Sequence, residues 1–194
     1  MARVSSLCVY CGSSNAVSPR FLAEAYAFGR ALGDAGIELV YGGGRVGLMG
    51  RVADGALDAG GKVMGIIPRH LHEREVAHHG VANLVLVDTM HERKRIMAEH
   101  ADAFVVLPGG FGTLDEMFEI LTWRILGLHD KPMILVNQDD YWAPLLALME
   151  QIYAQGFAAP KTRNFYTVVP SFVDVLPAVH ALPGFSHETD SAHF

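Results

Sequence analysis

The sequence predicts an α/β fold: a Rossmann-like open parallel sheet with helices on both faces, in a single domain. Three observations carry this. Short apolar runs alternate with helical stretches along the chain. The runs are nearly continuous in Val, Ile and Leu, the pattern of strands covered on both faces. Three of the loops that follow the strands are rich in glycine or small hydroxyl residues. In order, strands are expected at Leu7–Tyr10, Glu38–Tyr41, Lys62–Ile67, Asn83–Val87, Ala103–Leu107 and Met133–Val136. Helices are expected near Pro19–Ala35, Gly47–Ala59, Met90–Ala101, Thr113–Leu126 and Trp142–Gln155. Phe165–Val169 reads as an extra strand and Phe172–Leu182 as a last helix. The domain is expected over residues 1–182, with a loose polar tail over 183–194.

Bulk properties narrow the function. The chain has 194 residues, one ordinary domain with room for a full core. Hydrophobic residues make up 51% and charged ones 19%, as in a compact soluble protein. A formal charge of −6 argues against a nucleic-acid partner, which would want a basic face. No apolar run approaches the roughly 20 residues of a spanning helix, so no membrane role is expected. The first residues lead straight into a strand, so no signal peptide is expected. With two cysteines, Cys8 and Cys11, a disulfide scaffold is excluded and the cytoplasm is the default.

Ligands of open parallel sheets bind at the C-terminal edge of the strands. The loops expected there are Cys11–Ser18, Gly42–Leu48, Pro68–Ala82, Asp88–Met90 and Pro108–Thr113. The longest, Pro68–Ala82, reads as a lid or a dimer contact. The most telling segment is Leu107-Pro-Gly-Gly-Phe-Gly-Thr-Leu-Asp-Glu116. Its turn bares backbone N–H groups at the positive end of a helix, which suits a phosphate, and Glu116 follows one turn later. A plainer reading remains open: Thr113-Leu-Asp-Glu116 is also a T-x-x-E capping box.

Gly42-Gly-Gly-Arg-Val-Gly47 fits G-x-G-x-x-G between a strand and a helix. A dinucleotide site would also want an acid at the end of the next strand, yet that strand runs into Ile67-Pro-Arg69. A mononucleotide phosphate or ribose loop, or tight helix–sheet packing, remain. Met90-His-Glu-Arg-Lys-Arg95 puts cations where the helix dipole disfavours them, by roughly 0.3–1 kcal/mol each. Arg95 reads as solvated; Arg93 and Lys94 hint at a compensating anion. If the strands before Asp88–Met90 and Pro108–Thr113 are neighbours, Arg93 and Glu116 share a pocket. Glu73-Arg-Glu75 reads as surface charge or as a carboxylate for a ribose or base. Thr122 is a packing residue or part of the pocket wall. Cys8 and Cys11 lie three apart around a strand and point to opposite faces, so no redox pair is expected. The pairs His70/His72 and His78/His79 lack a third ligand at metal spacing, so no metal is expected.

Pro108-Gly-Gly-Phe-Gly-Thr-Leu-Asp-Glu116 resembles the P-G-G-x-G-T-x-x-E signature of the Lonely Guy family, the cytokinin riboside 5′-monophosphate phosphoribohydrolases. Gly42–Gly50, Met90–Lys94 and Cys8-Val-Tyr-Cys-Gly-Ser-Ser14 are similar to that family's further segments, in order. The resemblance implies a Rossmann-like homodimer that cleaves the base–ribose bond of nucleoside 5′-monophosphates, giving free base and ribose 5-phosphate without a cofactor. It puts Arg93 and Glu116 on the catalytic positions. It puts Glu75, Lys94, Gly109, Gly110, Phe111, Gly112, Thr113, Leu114, Asp115 and Thr122 on substrate-contact positions, with Gly12, Ser13, Gly43 and Gly44 as a further phosphate or ribose loop. In the mechanism it suggests, Arg93 keeps Glu116 ionised. Relatives are often described as lysine decarboxylases, but only Lys94 of the four lysines is expected near the site. A nucleotide sensor or carrier without turnover, and a broader purine or pyrimidine monophosphate nucleosidase, are the rival readings.

Overall fold

The computed structural model describes residues 4–72 and 77–181. Seven strands form one parallel sheet: β1 (Ser6–Tyr10), β2 (Glu38–Tyr41), β3 (Val63–Pro68), β4 (Asn83–Val87), β5 (Ala103–Val106), β6 (Met133–Val136) and β7 (Tyr166–Val169). Their spatial order is β4-β3-β2-β1-β5-β6-β7. Helices α1 (Pro19–Asp34), α2 (Gly47–Asp58), α3 (Arg69–His72), α4 (Met90–His100), α5 (Phe111–Ile125), α6 (Ala143–Ala154) and α7 (Val175–Ala181) connect or follow them. The extra strand at the end of the chain forms, one residue shorter than expected. The short α3, inside the long loop, gave no sequence signal: four residues show no helical period. The tail over 183–194 lies outside the described residues.

The strands alternate their side chains between two apolar clusters, as the period of two demands. Leu7, Val9, Leu39, Tyr41, Ala103 and Val105 face α1, α2 and α7. Cys8, Tyr10, Val40, Phe104 and Val106 face α4, α5 and α6. Cys8 and Cys11 fall in different clusters, buried and unpaired, as their spacing predicts. Burial pushes both thiols well above the ordinary cysteine range, so neither is poised to react.

The chain walks outward from β1 to β4, then reverses. Helix α4 carries it back, touching β4, β3, β2 and β1 on the way, and β5 enters on the far side of β1. The gap between β1 and β5 is therefore the topological switch point, where open α/β sheets hold their ligands. One expectation fails here. The strands before Asp88–Met90 and Pro108–Thr113 are not neighbours, because β3, β2 and β1 lie between β4 and β5. The two loops are brought together by the crossover of α4, which strand adjacency does not reveal.

Helices α1 and α2 pack backbone to backbone. A Cβ on Gly55 would lie 2.1 Å from the Tyr26 carbonyl oxygen, and one on Gly29 would lie 2.1 Å from that of Val52. Gly55→Ala should therefore destabilise the fold by about 1–3 kcal/mol. An exposed helical site would instead gain up to about 1 kcal/mol from the same change. Urea unfolding of the variant measures the difference, and an unchanged midpoint would contradict this packing.

Candidate active site

The C-terminal edges of β1, β2 and β5 open into a cavity of about 910 Å³. Its floor is glycine-rich: Gly12 with Ser13 and Ser14 after β1, Gly42 and Gly44 after β2, and Pro108 to Thr113 after β5. Gly43 does not line it. That residue is buried with φ 73°, and its carbonyl accepts the His78 N–H at 2.9 Å, fastening the end of the long loop.

Helix α5 begins at Phe111, not at Thr113. Gly110 is the extended N-cap, and no side chain caps the first turn. Glu116 therefore sits in the second turn, and the capping-box reading of Thr113–Glu116 does not hold. A close variant of that box forms instead at the start of α4. There Thr89 Oγ1 accepts the Glu92 N–H at 3.1 Å, and Glu92 Oε2 accepts the Asp88 N–H at 3.0 Å. The uncapped start of α5 leaves its first N–H groups to the cavity's occupant. A Cβ on Gly110 or Gly112 would meet nothing within 4 Å, so no protein neighbour requires glycine there. Open space beside bare backbone is what a closely approaching ligand needs. Thr113 is buried, its hydroxyl over Gly109, where a Cβ would lie 2.1 Å away.

Arg93 reaches the cavity from the first turns of α4 and is buried, 7% exposed. Its Nε donates to the Ile66 carbonyl at 3.1 Å and its Nη2 to the Gly42 carbonyl at 2.9 Å. Gly42 has no side chain for this reason: a Cβ would lie 1.8 Å from Arg93 Nη2. The remaining nitrogen, Nη1, stands 3.7 Å from Glu116 Oε1. Both side chains line the cavity.

Glu116 is 9% exposed. Burial pushes its carboxyl up to about 7, against the pull of Arg93. Asp115 adds to the rise, Lys94 opposes it, and Glu119 adds again. The expectation that Arg93 keeps Glu116 ionised needs correction. Desolvation outweighs the single guanidinium, leaving a carboxyl that exchanges its proton near neutrality.

Lys94 is buried but turned away from the cavity. Its Nζ lies 3.0 Å from Asp115 Oδ2 and 3.0 Å from Glu119 Oε2. The anion that compensates this cation is thus the next helix. Burial pushes the ammonium down, but hydrogen bonds to Glu119 and Asp115 outweigh it and hold it above its ordinary range. Asp115 lines the cavity and Leu114 packs into the core below it. Phe111 stands 92% exposed at the mouth. Thr122 is exposed on α5, about 9 Å along the axis from Glu116 and outside the cavity lining. Arg95 pairs with Glu99 on the surface, as expected of a solvated charge. Glu75, with the rest of Glu73–Val76, lies outside the described residues. Among the described residues, no three His, Cys, Asp or Glu side chains converge as a metal site. None of the described helices is long and apolar enough to cross a membrane.

Sequence reasoning missed Phe21 and Tyr141, which line the cavity together with Val17, Val46, Met49 and Leu71 from segments expected there. Phe21 comes from the start of α1 and Tyr141 from the loop after β6, with no shared motif, so only the fold assembles them.

Residues 49–179 match the family described as possible lysine decarboxylase. The chain is 44% identical over 177 residues to a cytokinin riboside 5′-monophosphate phosphoribohydrolase of Rhodococcoides fascians, spanning 91% of this chain and 89% of that one. It is 43% identical over 165 residues to one from Arabidopsis thaliana, spanning 85% and 77%. A probable enzyme of the same name from Oryza sativa subsp. japonica is 44% identical over 174 residues, spanning 90% and 78%. Among solved structures, the molybdenum cofactor carrier protein of Chlamydomonas reinhardtii superposes with a TM-score of 0.70 at 20% identity, covering 92% of this chain and 97% of that one. The molybdenum cofactor binding protein of Rippkaea orientalis gives 0.68 at 24% identity, covering 93% and 98%. At such identities these two share the fold.

The raised Glu116 carboxyl makes stability pH-dependent. Its folded value, about 7, exceeds the ordinary 4.5, so the neutral form favours folding. That contribution is complete below about pH 4.5 and is lost as pH rises through about 7, an effect of order 3 kcal/mol. Glu116→Gln should escape it. The variant's melting temperature, relative to wild type, should stand higher at about pH 8.5 than at about pH 5. A difference independent of pH would contradict the buried-carboxyl account.

Proposed function

The chain belongs to the Lonely Guy family, the cytokinin riboside 5′-monophosphate phosphoribohydrolases, and from that premise we propose that it hydrolyses the N-glycosidic bond of nucleoside 5′-monophosphates. AMP or an N6-modified AMP would be the substrate, with free base and ribose 5-phosphate as products. The observation that carries this reading is the approach of Arg93 and Glu116 to 3.7 Å beside the uncapped start of α5.

In this reading the 5′-phosphate docks on the first turn of α5, where the helix dipole and free N–H groups favour an anion. Holding the phosphate fixes the sugar against the Arg93–Glu116 wall. The C1′–N bond then breaks through an oxocarbenium-like transition state, as in sugar hydrolysis generally. The bonding pair leaves with the base, which takes up a proton, and a water oxygen bonds C1′. Glu116, in its ionised form, steadies the positive ribose or accepts the water's proton. Arg93 stabilises that ionised form, and its own position is set by two carbonyls rather than by the substrate. A carboxyl near 7 suits a group that must both take and give a proton at neutral pH. The apolar Val17, Phe21 and Met49 offer a wall for the base.

Decarboxylation fits this chain poorly. A lysine that condenses with pyridoxal phosphate must be a neutral amine, whereas Lys94 is held as an ammonium between two carboxylates. We also infer a homodimer. Phe118 and Ile125 on α5, and Leu126 just after it, are exposed large apolar groups, and Thr122 lies among them. A Thr122 that contacts substrate would do so in the cavity of a second subunit.

Arg93→Ala and Glu116→Ala should each lower base release from AMP by about a hundredfold or more. Both should keep the wild-type circular dichroism spectrum. In the wild type, kcat/KM should rise with pH through about 7 as Glu116 ionises. Chromatography of free adenine measures both. Near-wild-type turnover in either variant removes the assigned roles, and binding of AMP without adenine release makes the protein a carrier.

A further inference from the structure

The loop after β6 is built to deliver one hydroxyl to the phosphate-binding turn. Asp139 and Asp140 are consecutive non-glycine residues in the left-handed region, at φ 53° and 56°. Such a pair persists only when its surroundings determine it, and functional sites are where this recurs. The surroundings here are explicit. Asn137 Nδ2 donates to Asp140 Oδ1 at 3.2 Å, and Asn137 Oδ1 accepts the Trp142 N–H at 2.8 Å. Arg20, on α1, reaches Asp139 Oδ1 at 3.0 Å. The Asn137 N–H is in turn held by the Val169 carbonyl on β7, at 2.8 Å.

The bent loop lays Tyr141 across the cavity wall. Its ring meets the edges of Phe21 and Trp142, with centroids 6.1 and 4.7 Å away. Its Oη donates to the Gly109 carbonyl at 2.7 Å. That carbonyl belongs to the peptide between Gly109 and Gly110. The peptide is trans and planar, so fixing its oxygen fixes the Gly110 N–H on the opposite side. Glycine flanks the peptide on both sides and lacks the Cβ that restrains rotation elsewhere. Left to itself, this plane can turn over and present an oxygen to an anion in place of an N–H.

We propose that Tyr141 is a positioning residue that locks the Gly109–Gly110 peptide in its anion-accepting orientation, and so sets affinity for the substrate's phosphate. This rests on the reading of the glycine turn as a phosphate cradle, and the test is chosen to separate the two. Tyr141→Phe keeps the ring contacts and removes only the hydroxyl. Titration calorimetry with ribose 5-phosphate reads the cradle without any turnover. The variant should bind it roughly five- to tenfold more weakly than wild type, the loss of one hydrogen bond. KM for AMP should rise by the same factor with kcat little changed, and the melting temperature without ligand should stay put. Affinity for adenosine, which has no phosphate, should not change in the same titration. Equal affinity for ribose 5-phosphate in both proteins overturns the lock, as does a loss of affinity shared equally by ribose 5-phosphate and adenosine. Failure of the functional reading would look different: wild type would bind ribose 5-phosphate, the variant would bind it less, and neither would release base.

Discussion

One buried guanidinium organises the rim of this sheet. Arg93 is taken out of water at the end of β2, where an unpaired charge would be untenable. Its Nε and Nη2 donate to the Ile66 and Gly42 carbonyls, and its Nη1 lies beside Glu116 and the Met90 sulfur. Each partner constrains a different segment. Gly42 must lack a side chain, β3 must leave its Ile66 carbonyl available, and α4 must cross the sheet at the right height. Glu116 must then sit in the second turn of α5 rather than cap its first.

The same constraint sets the electrostatics. Glu116 feels one cation at 3.7 Å and a desolvated setting, and the second effect wins. Lys94 cannot help much, because Asp115 and Glu119 already hold its ammonium. The result is a carboxyl balanced near neutrality beside an uncapped helix start. A fully solvated pair would have left the carboxylate permanently ionised, and a second free cation would have done the same.

Much of the fold was legible because it follows from period and punctuation. Every expected strand formed, since Val- and Ile-rich runs bounded by Gly, Pro and Asp leave few alternatives. The glycine turn after β5 and the cations of α4 were visible for a similar reason: each breaks a local preference unless something else compensates. What the sequence hid is non-local. Strand order cannot be read from apolar runs, so Arg93 and Glu116 meet by a crossover instead of by adjacent strands. The start of α5 was misplaced because Gly-Phe-Gly carries no helical preference, yet Gly110 is the cap. Lys94 reads as a ligand contact in the sequence because the carboxylates that hold it, Asp115 and Glu119, lie on a different helix. Tyr141, from a loop beyond β6, gave no sequence signal at all.

The central claim is that burial and Arg93 together poise the Glu116 carboxyl near neutrality. Carbon-13 NMR of glutamate side-chain carboxyls, with the Glu116 signal assigned by its absence in Glu116→Gln, tests it directly. The account predicts a midpoint at about 7. A midpoint at the ordinary glutamate value, near 4.5, would contradict it.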